Sequence, residues 1–268
     1  MLAPLLERLL AFAVVGALFV PIERLFALHR EQAVLRPGWQ LDFIHFCVNH
    51  FLIQIAVLVP IVPLYLLMKP WVSPVFQDVV AAQPLGLQIA AALLVADIVS
   101  YFTHRLSHEM PWLWKFHAIH HSSPRMDWLA ATRLHPVDVA ITRAVQFAVL
   151  FPLGFSRATF GILPGLLGFY AIFIHSNTRF PMRWLRYLLA KPEYHHWHHS
   201  GKPETYNKNY ALFPVIDWLF GTCYYTDRMP DEYGAPATLP QTYWGQLTYP
   251  FRRAPIHAAP PAPAEVSV

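Results

Sequence analysis

Tyr101 to His121 reads YFTHRLSHEMPWLWKFHAIHH and holds five of the chain's 15 histidines. His104 and His108 are four apart, and His117, His120 and His121 follow as H-x-x-H-H. A second H-x-x-H-H stands at His195, His198 and His199. Helix positions i, i+3 and i+4 share a face, so each group is expected to aim its imidazoles at one point. A tetrahedral zinc takes about four ligands, and these eight imidazoles are about twice that number. The simplest reading is a two-metal site.

Outward from this stretch the chain is apolar. Of its 268 residues 55% are hydrophobic and 13% charged, with mean hydropathy +0.33. A soluble domain carries roughly 25% charge, so this is a membrane composition. Leu85 to Thr103 forms a span that ends in the first histidine pair. Before it lie apolar runs at Leu9 to Leu28 and Phe43 to Met68. The first has only Glu7 and Arg8 ahead of it and no A-x-A site after it, so it reads as a retained helix and not a signal peptide. Pro60 and Pro63 are expected to kink or end the second. Val137 to His175 is apolar but broken at Gly154-Phe155-Ser156-Arg157, which predicts a helical hairpin with both ends on one side.

The expected fold is therefore all-α: an integral membrane helical bundle of about three spans plus a helical hairpin. A cytoplasmic histidine-rich cap would hold the dimetal site. Residues 1–84 supply the N-terminal transmembrane helices, 85–251 the histidine-bearing domain, and 252–268 an Ala/Pro-rich tail expected to be disordered and to leave His257 outside the site.

Loop charges set the orientation. Arg30 and Arg36, then Arg105, Lys115, Arg125 and Arg133, then Arg179, Arg183, Arg186 and Lys191 fall on the histidine side, whereas the 69–84 loop has only Lys69. Basic loops face the cytoplasm, so the site is expected there. The net charge of +4 does not point to nucleic acid, because the basic residues flank apolar segments. Cys47 and Cys223 form no C-x-x-C, which disfavours a disulfide framework or an iron–sulfur cluster.

Other candidates surround the eight histidines. His175, in F-I-H-S-N at the end of the hairpin, is the expected ninth ligand. Asp97, Tyr101, His104 and His108 step by four, three and four, making one stripe. An intramembrane carboxylate is a functional candidate, and Asp97 is expected to accept an N–H from a ligating imidazole or to bond a neighbouring helix. Tyr101, His135, Asn177 and His196 are expected around the ligands, with Asn177 and Asn209 placed to hold a water. His45 and His50 read as packed or interfacial histidines.

Imidazole suits zinc, copper, iron and nickel. Nine neutral ligands with open positions favour iron reacting with dioxygen over structural zinc, although zinc is possible in purified protein. H-E-x-x-H, a P-loop and G-x-S-x-G are absent.

These motifs resemble the fatty acid hydroxylase/sterol desaturase superfamily. The resemblance covers roughly residues 85 to 230. It includes Asp97-x-x-x-Tyr101-x-x-His104-Arg105, Arg133-x-His135-Pro136, His175-Ser176-Asn177 and Asp217-Trp218-Leu219-Phe220-Gly221-Thr222. It implies two iron ions held by histidine, dioxygen as co-substrate, and hydroxylation or desaturation of a lipid drawn from the bilayer. The sequence shows no haem domain like cytochrome b5 and no cysteine cluster, so a separate donor protein (cytochrome b5, a ferredoxin or similar) is expected. A non-catalytic metal-handling membrane protein is the alternative. A transporter is disfavoured because the ligands cluster on one side, and a haem protein because they are grouped at helix ends.

Overall fold

The computed structural model describes residues 2–179, 182–226, 228–235 and 239–252. The expected tail, with His257, lies outside the described residues except at Arg252. Five helices are long and apolar enough to cross a membrane: α1 (Leu2–Leu25), α2 (Trp39–Met68), α4 (Leu85–Glu109), α6 (Pro136–Leu153) and α7 (Arg157–His175). Short helices join or cap them: α3 (Pro74–Ala81), α5 (Pro111–His117), α8 (Pro192–His198), α9 (Pro214–Leu219) and α10 (Tyr243–Thr248). No strand forms among the described residues beyond two isolated bridges, Ala27 with Thr178 and Ser200 with Tyr233. The chain is a multi-pass helical membrane bundle, the expected three spans plus a hairpin.

The spans are not equivalent. In the most apolar stretch of α1 and α2, 6% and 0% of residues are buried, against 28% to 33% in α4, α6 and α7. The last three therefore form the inner bundle. Small residues let them approach: Ala92 and Ala96 of α4 pack against Leu150 of α6 and Leu163 and Leu167 of α7. Pro60 and Pro63 do not end α2, which continues to Met68. In a bilayer, side chains, waters and local adjustments can satisfy the carbonyls a proline frees.

The hairpin turns where the sequence breaks. Gly154 ends α6 at φ 78°, a left-handed conformation that glycine adopts without strain. The Ser156 hydroxyl then accepts the Thr159 N–H to start α7. Gln88 of α4 ties this tip down, because its Oε1 accepts from Ser156 N and Thr159 Oγ1. At the opposite end α4 delivers His104 and His108, α7 delivers His175, and α6 delivers Asp138.

The connectors at that end are locked by a buried charge quartet. Arg36 pairs with Asp42 at 2.6 Å and with Asp127 at 2.7 Å, and Arg133 pairs with Asp42 at 2.5 Å. Arg36, Asp42 and Arg133 are fully buried. Arg36 and Arg133 are thus internal cross-links and not the surface loop charges the orientation argument assumes. They tie the 26–38 loop to the 118–135 connector, whose Arg133 Nη1 also donates to the Ser122 carbonyl at 3.1 Å.

Candidate metal centre

The nine histidines expected as ligands come together in two groups. His104, His108, His117, His121 and His198 form one, and His120, His175, His195 and His199 the other. Within each group the ligand atoms all lie within 4.8 Å of one another. Neither H-x-x-H-H aims at a single point, contrary to expectation. Its first and last histidines join one group and its middle histidine the other. Helical positions i and i+4 lie about 40° apart around the axis, but i+3 and i+4 lie about 100° apart, on opposite sides of i. The helix also stops inside each motif: α5 ends at His117 and a tight turn carries His120–Ser122, while α8 ends at His198. The two groups interleave, with His121 stacked on His199 at 4.3 Å and His195 on His198 at 5.1 Å between ring centroids.

The hydrogen bonds on the far side of each ring decide whether a cation fits. A carbonyl or carboxylate oxygen can only accept, so the ring nitrogen facing it carries the proton. Nδ1 of His104 donates to the Tyr210 carbonyl at 3.1 Å, and Nδ1 of His117 to Asp138 Oδ2 at 2.9 Å. Both Nε2 atoms then present lone pairs, and they face each other at 3.0 Å. In the other group, His120 Nδ1 donates to the Arg133 carbonyl at 3.1 Å and His175 Nδ1 to the Ala171 carbonyl at 2.6 Å. Their Nε2 atoms also face each other at 3.0 Å. His198 Nδ1 donates to the Lys208 carbonyl at 2.7 Å. Two lone pairs at this separation repel unless a cation lies beside them. The Nε2 atoms of His108, His121 and His198 are buried without any hydrogen-bond partner. Buried polar atoms are rarely left so, and metal ligation is the use this donor set fits.

Burial keeps the rings neutral, the form that ligates. For His120, His121, His195, His198 and His199, burial first and neighbouring imidazoles second hold the pKa well below the usual 6.5. His196 is pushed down to about 3, mainly by burial.

Several residues expected around the ligands do other work. Asp97 touches no imidazole; its two oxygens accept the N–H groups of Leu212 and Phe213 at 2.8 Å each. Asp217 accepts those of Tyr210 and Ala211. Four consecutive amides are thus held by two carboxylates, and this fixes the Tyr210 carbonyl that orients His104. Tyr101 bonds Thr222 and Arg105 and packs on Tyr210. His135 is a helix cap: it accepts from Val137 N and donates to the Leu247 carbonyl, away from the ligands. Asn177 bonds both backbone groups of His29, and Asn209, at φ 60°, clamps Tyr194 and Tyr224. His196 does stand behind the site, because its Nε2 donates to the Ser176 carbonyl at 3.1 Å while Tyr233 bridges its Nδ1 to His29.

Asp138 was not among the expected residues, yet it is the carboxylate on a candidate ligand. Its signal is a charge in the first turn of an apolar helix, two residues after Pro136. Trp114 is also internal, its ring 5.0 Å from His108 and 5.4 Å from His121.

A partly open cavity of about 240 Å3 adjoins both groups, lined by His104, His117, His120, His175 and His195 and by α4, α6 and α7. A polytopic helical bundle with paired histidine groups beside a cavity between its apolar helices defines the class. The fatty acid hydroxylase family pattern matches residues 89–222, and the chain belongs to that family. It is 31% identical over 172 residues to ornithine lipid hydroxylase OlsE of Rhizobium tropici, covering 63% of this chain and 52% of that protein. It is 30% identical over 132 residues to alkylglycerol monooxygenase of Danio rerio, covering 49% of this chain and 29% of that protein. A very-long-chain aldehyde decarbonylase of Oryza sativa subsp. japonica, GL1-10, is 28% identical over 137 residues, covering 50% and 46%. The chain thus spans about half or less of the length of these relatives. No solved structure gives a significant match.

Proposed function

We propose that the protein is a membrane di-iron oxygenase that hydroxylates or desaturates a lipid. It would use dioxygen and electrons from a separate donor protein, with the histidine site facing the cytoplasm. The observation that carries this reading is the pairing of fixed Nε2 lone pairs in two adjoining groups beside a cavity within the apolar helices. His104, His108, His117, His121 and His198 would hold one iron, and His120, His175, His195 and His199 the other. When bound, the irons would activate dioxygen for reaction at an unactivated C–H bond. The chain's own part is positional. The Tyr210, Arg133, Ala171 and Lys208 carbonyls and Asp138 hold each proton on Nδ1 and leave Nε2 for the metal. Leu134, Leu167 and Ile174 line the cavity and keep water from the reacting carbon.

Relatives named as a hydroxylase, a monooxygenase and a decarbonylase support lipid oxidation as the shared chemistry. The test is to express the protein in an iron-supplied host and compare membrane lipids by mass spectrometry, with and without isotopically labelled dioxygen. A lipid that gains one labelled oxygen, or loses two hydrogens only when dioxygen is present, supports the proposal. Metal-loaded protein that changes no lipid under reducing conditions supports metal handling instead.

A further inference from the structure

The cavity beside the histidines contains a cation that ligation does not use. Arg143 lies on α6 seven residues past Pro136, about 10 Å along the helix at ~1.5 Å per residue. It lines the same cavity as His104, His117, His120, His175 and His195. The two fully buried arginines, Arg36 and Arg133, are each matched to carboxylates. Arg143 makes no ion pair among the described residues. Its Nη1 donates to the neutral Oε1 of Gln146 at 2.8 Å, and Gln146 Nε2 donates to Ser100 Oγ at 2.8 Å.

The direction of that bond matters. The histidine end of α6 is its N-terminus, where Asp138 meets His117. Gln146 is three residues further from that end. An arginine relieving its charge by snorkelling would reach towards the interface, whereas Arg143 reaches along the helix towards the inside. A charged residue within a span, facing a cavity and without a counter-ion, marks a ligand subsite. A guanidinium satisfied by one neutral acceptor keeps further donors for a planar, two-oxygen partner.

We propose that Arg143, steadied by Gln146 and Ser100, binds an anionic oxygen of the lipid substrate, a carboxylate or a phosphate. This rests on the lipid-oxygenase reading above and narrows its substrate class to acidic lipids. The cavity, at about 240 Å3, is smaller than the roughly 300–1,000 Å3 that encloses a drug-sized ligand, so it holds part of a lipid. The part held is the region around the acidic group. Because cation and histidines share one small cavity, the oxidised carbon is near that group and not at the far end of a chain.

The test uses the purified full chain in detergent, with binding read from thermal unfolding and intrinsic fluorescence. The probes are oleate, dioleoyl phosphatidate, methyl oleate and inorganic phosphate. The wild type is expected to bind at least one of the two acidic lipids about tenfold or more tighter than methyl oleate, one unit of 1.4 kcal/mol or more. Which acid binds tighter distinguishes carboxylate from phosphate. Arg143→Gln should erase the preference, Arg143→Lys should keep part of it, and Arg157→Gln, at the far end of α7, should leave it intact. Equal binding of oleate, phosphatidate and methyl oleate by the wild type would overturn the proposal. So would an unchanged preference in Arg143→Gln, or inorganic phosphate competing as strongly as either acid. If Arg143→Gln does not fold, a preference undiminished in Arg143→Lys overturns it equally. Metal content measured on the same samples should be the same in the wild type and Arg143→Gln. Absence of metal from both would count against the oxygenase reading while the binding comparison remained readable.

Discussion

Asp138 offers a direct probe of how the five-histidine group is held. Its Oδ2 accepts the His117 Nδ1 proton at 2.9 Å, from a position mostly buried from water. A hydrogen bond to a charged acceptor contributes about 1.5–3 kcal/mol. Removing it by Asp138→Ala also frees the His117 ring to turn or to move its proton to Nε2, the atom needed for the metal. The expected loss of metal affinity is about 10- to 100-fold, the range typical when a ligand's supporting partner is removed. Asp138→Asn can still offer an amide oxygen to Nδ1, so its loss should be smaller. The effect should fall on one metal of two, because His117 belongs only to the five-histidine group. A chelator competition followed by elemental analysis would read this as biphasic release, with the first phase advanced in Asp138→Ala. Release of both metals at the wild-type chelator concentration would refute the argument that Asp138 fixes the His117 tautomer.

Asp42→Ala strips a partner from both Arg36 and Arg133 in a fully buried site, and breaking such a pair costs about 3–5 kcal/mol; thermal unfolding should show a large drop, and an unchanged midpoint would contradict the quartet's role. Asp97→Ala leaves the Leu212 and Phe213 amides unpaired at about 1–3 kcal/mol each, so it should lower stability more than it lowers metal affinity; the reverse order, seen by comparing unfolding with chelator titration, would restore Asp97 to the metal site. Gly154→Ala places a Cβ against Gln77 at a left-handed position and should destabilise the hairpin tip, read by proteolysis between α6 and α7. The metal-free protein should be acid-sensitive. His120, His121, His195, His196, His198 and His199 all have folded pKa values below 6.5, so the unfolded chain takes up protons first. Stability should be level above about pH 6.5 and fall below it, His196 alone contributing about 1.4 kcal/mol per pH unit down towards its folded value of about 3. Stability that rises on acidification from pH 7 to 5 would refute this.

The spans and the nine histidines were legible because both are written in local spacing: apolar runs of span length, and imidazoles three or four residues apart. What could not be read is what long-range folding decides. The split of each H-x-x-H-H between two groups depends on helices ending inside the motifs and on α8 crossing over to α4. Asp97 lies on the histidine stripe, but its partners, Leu212 and Phe213, are 115 and 116 residues away, and a stripe gives a face without naming what meets it. Arg36 and Arg133 look like ordinary loop charges until Asp42 and Asp127 are seen beside them. His135, Asn177 and Asn209 sit in suggestive motifs but cap and clamp the backbone. Asp138 had a weak signal, a carboxylate opening an apolar helix directly after H-P.

Metal stoichiometry decides whether neighbouring histidines serve different metals. Protein from iron-supplied cells should contain close to two metal ions per chain by elemental analysis. His198→Ala and His199→Ala, one residue apart, should each lower that to about one, the first affecting the five-histidine group and the second the four-histidine group. No stoichiometric metal in the wild type, or two ions retained in both variants, would show that they do not.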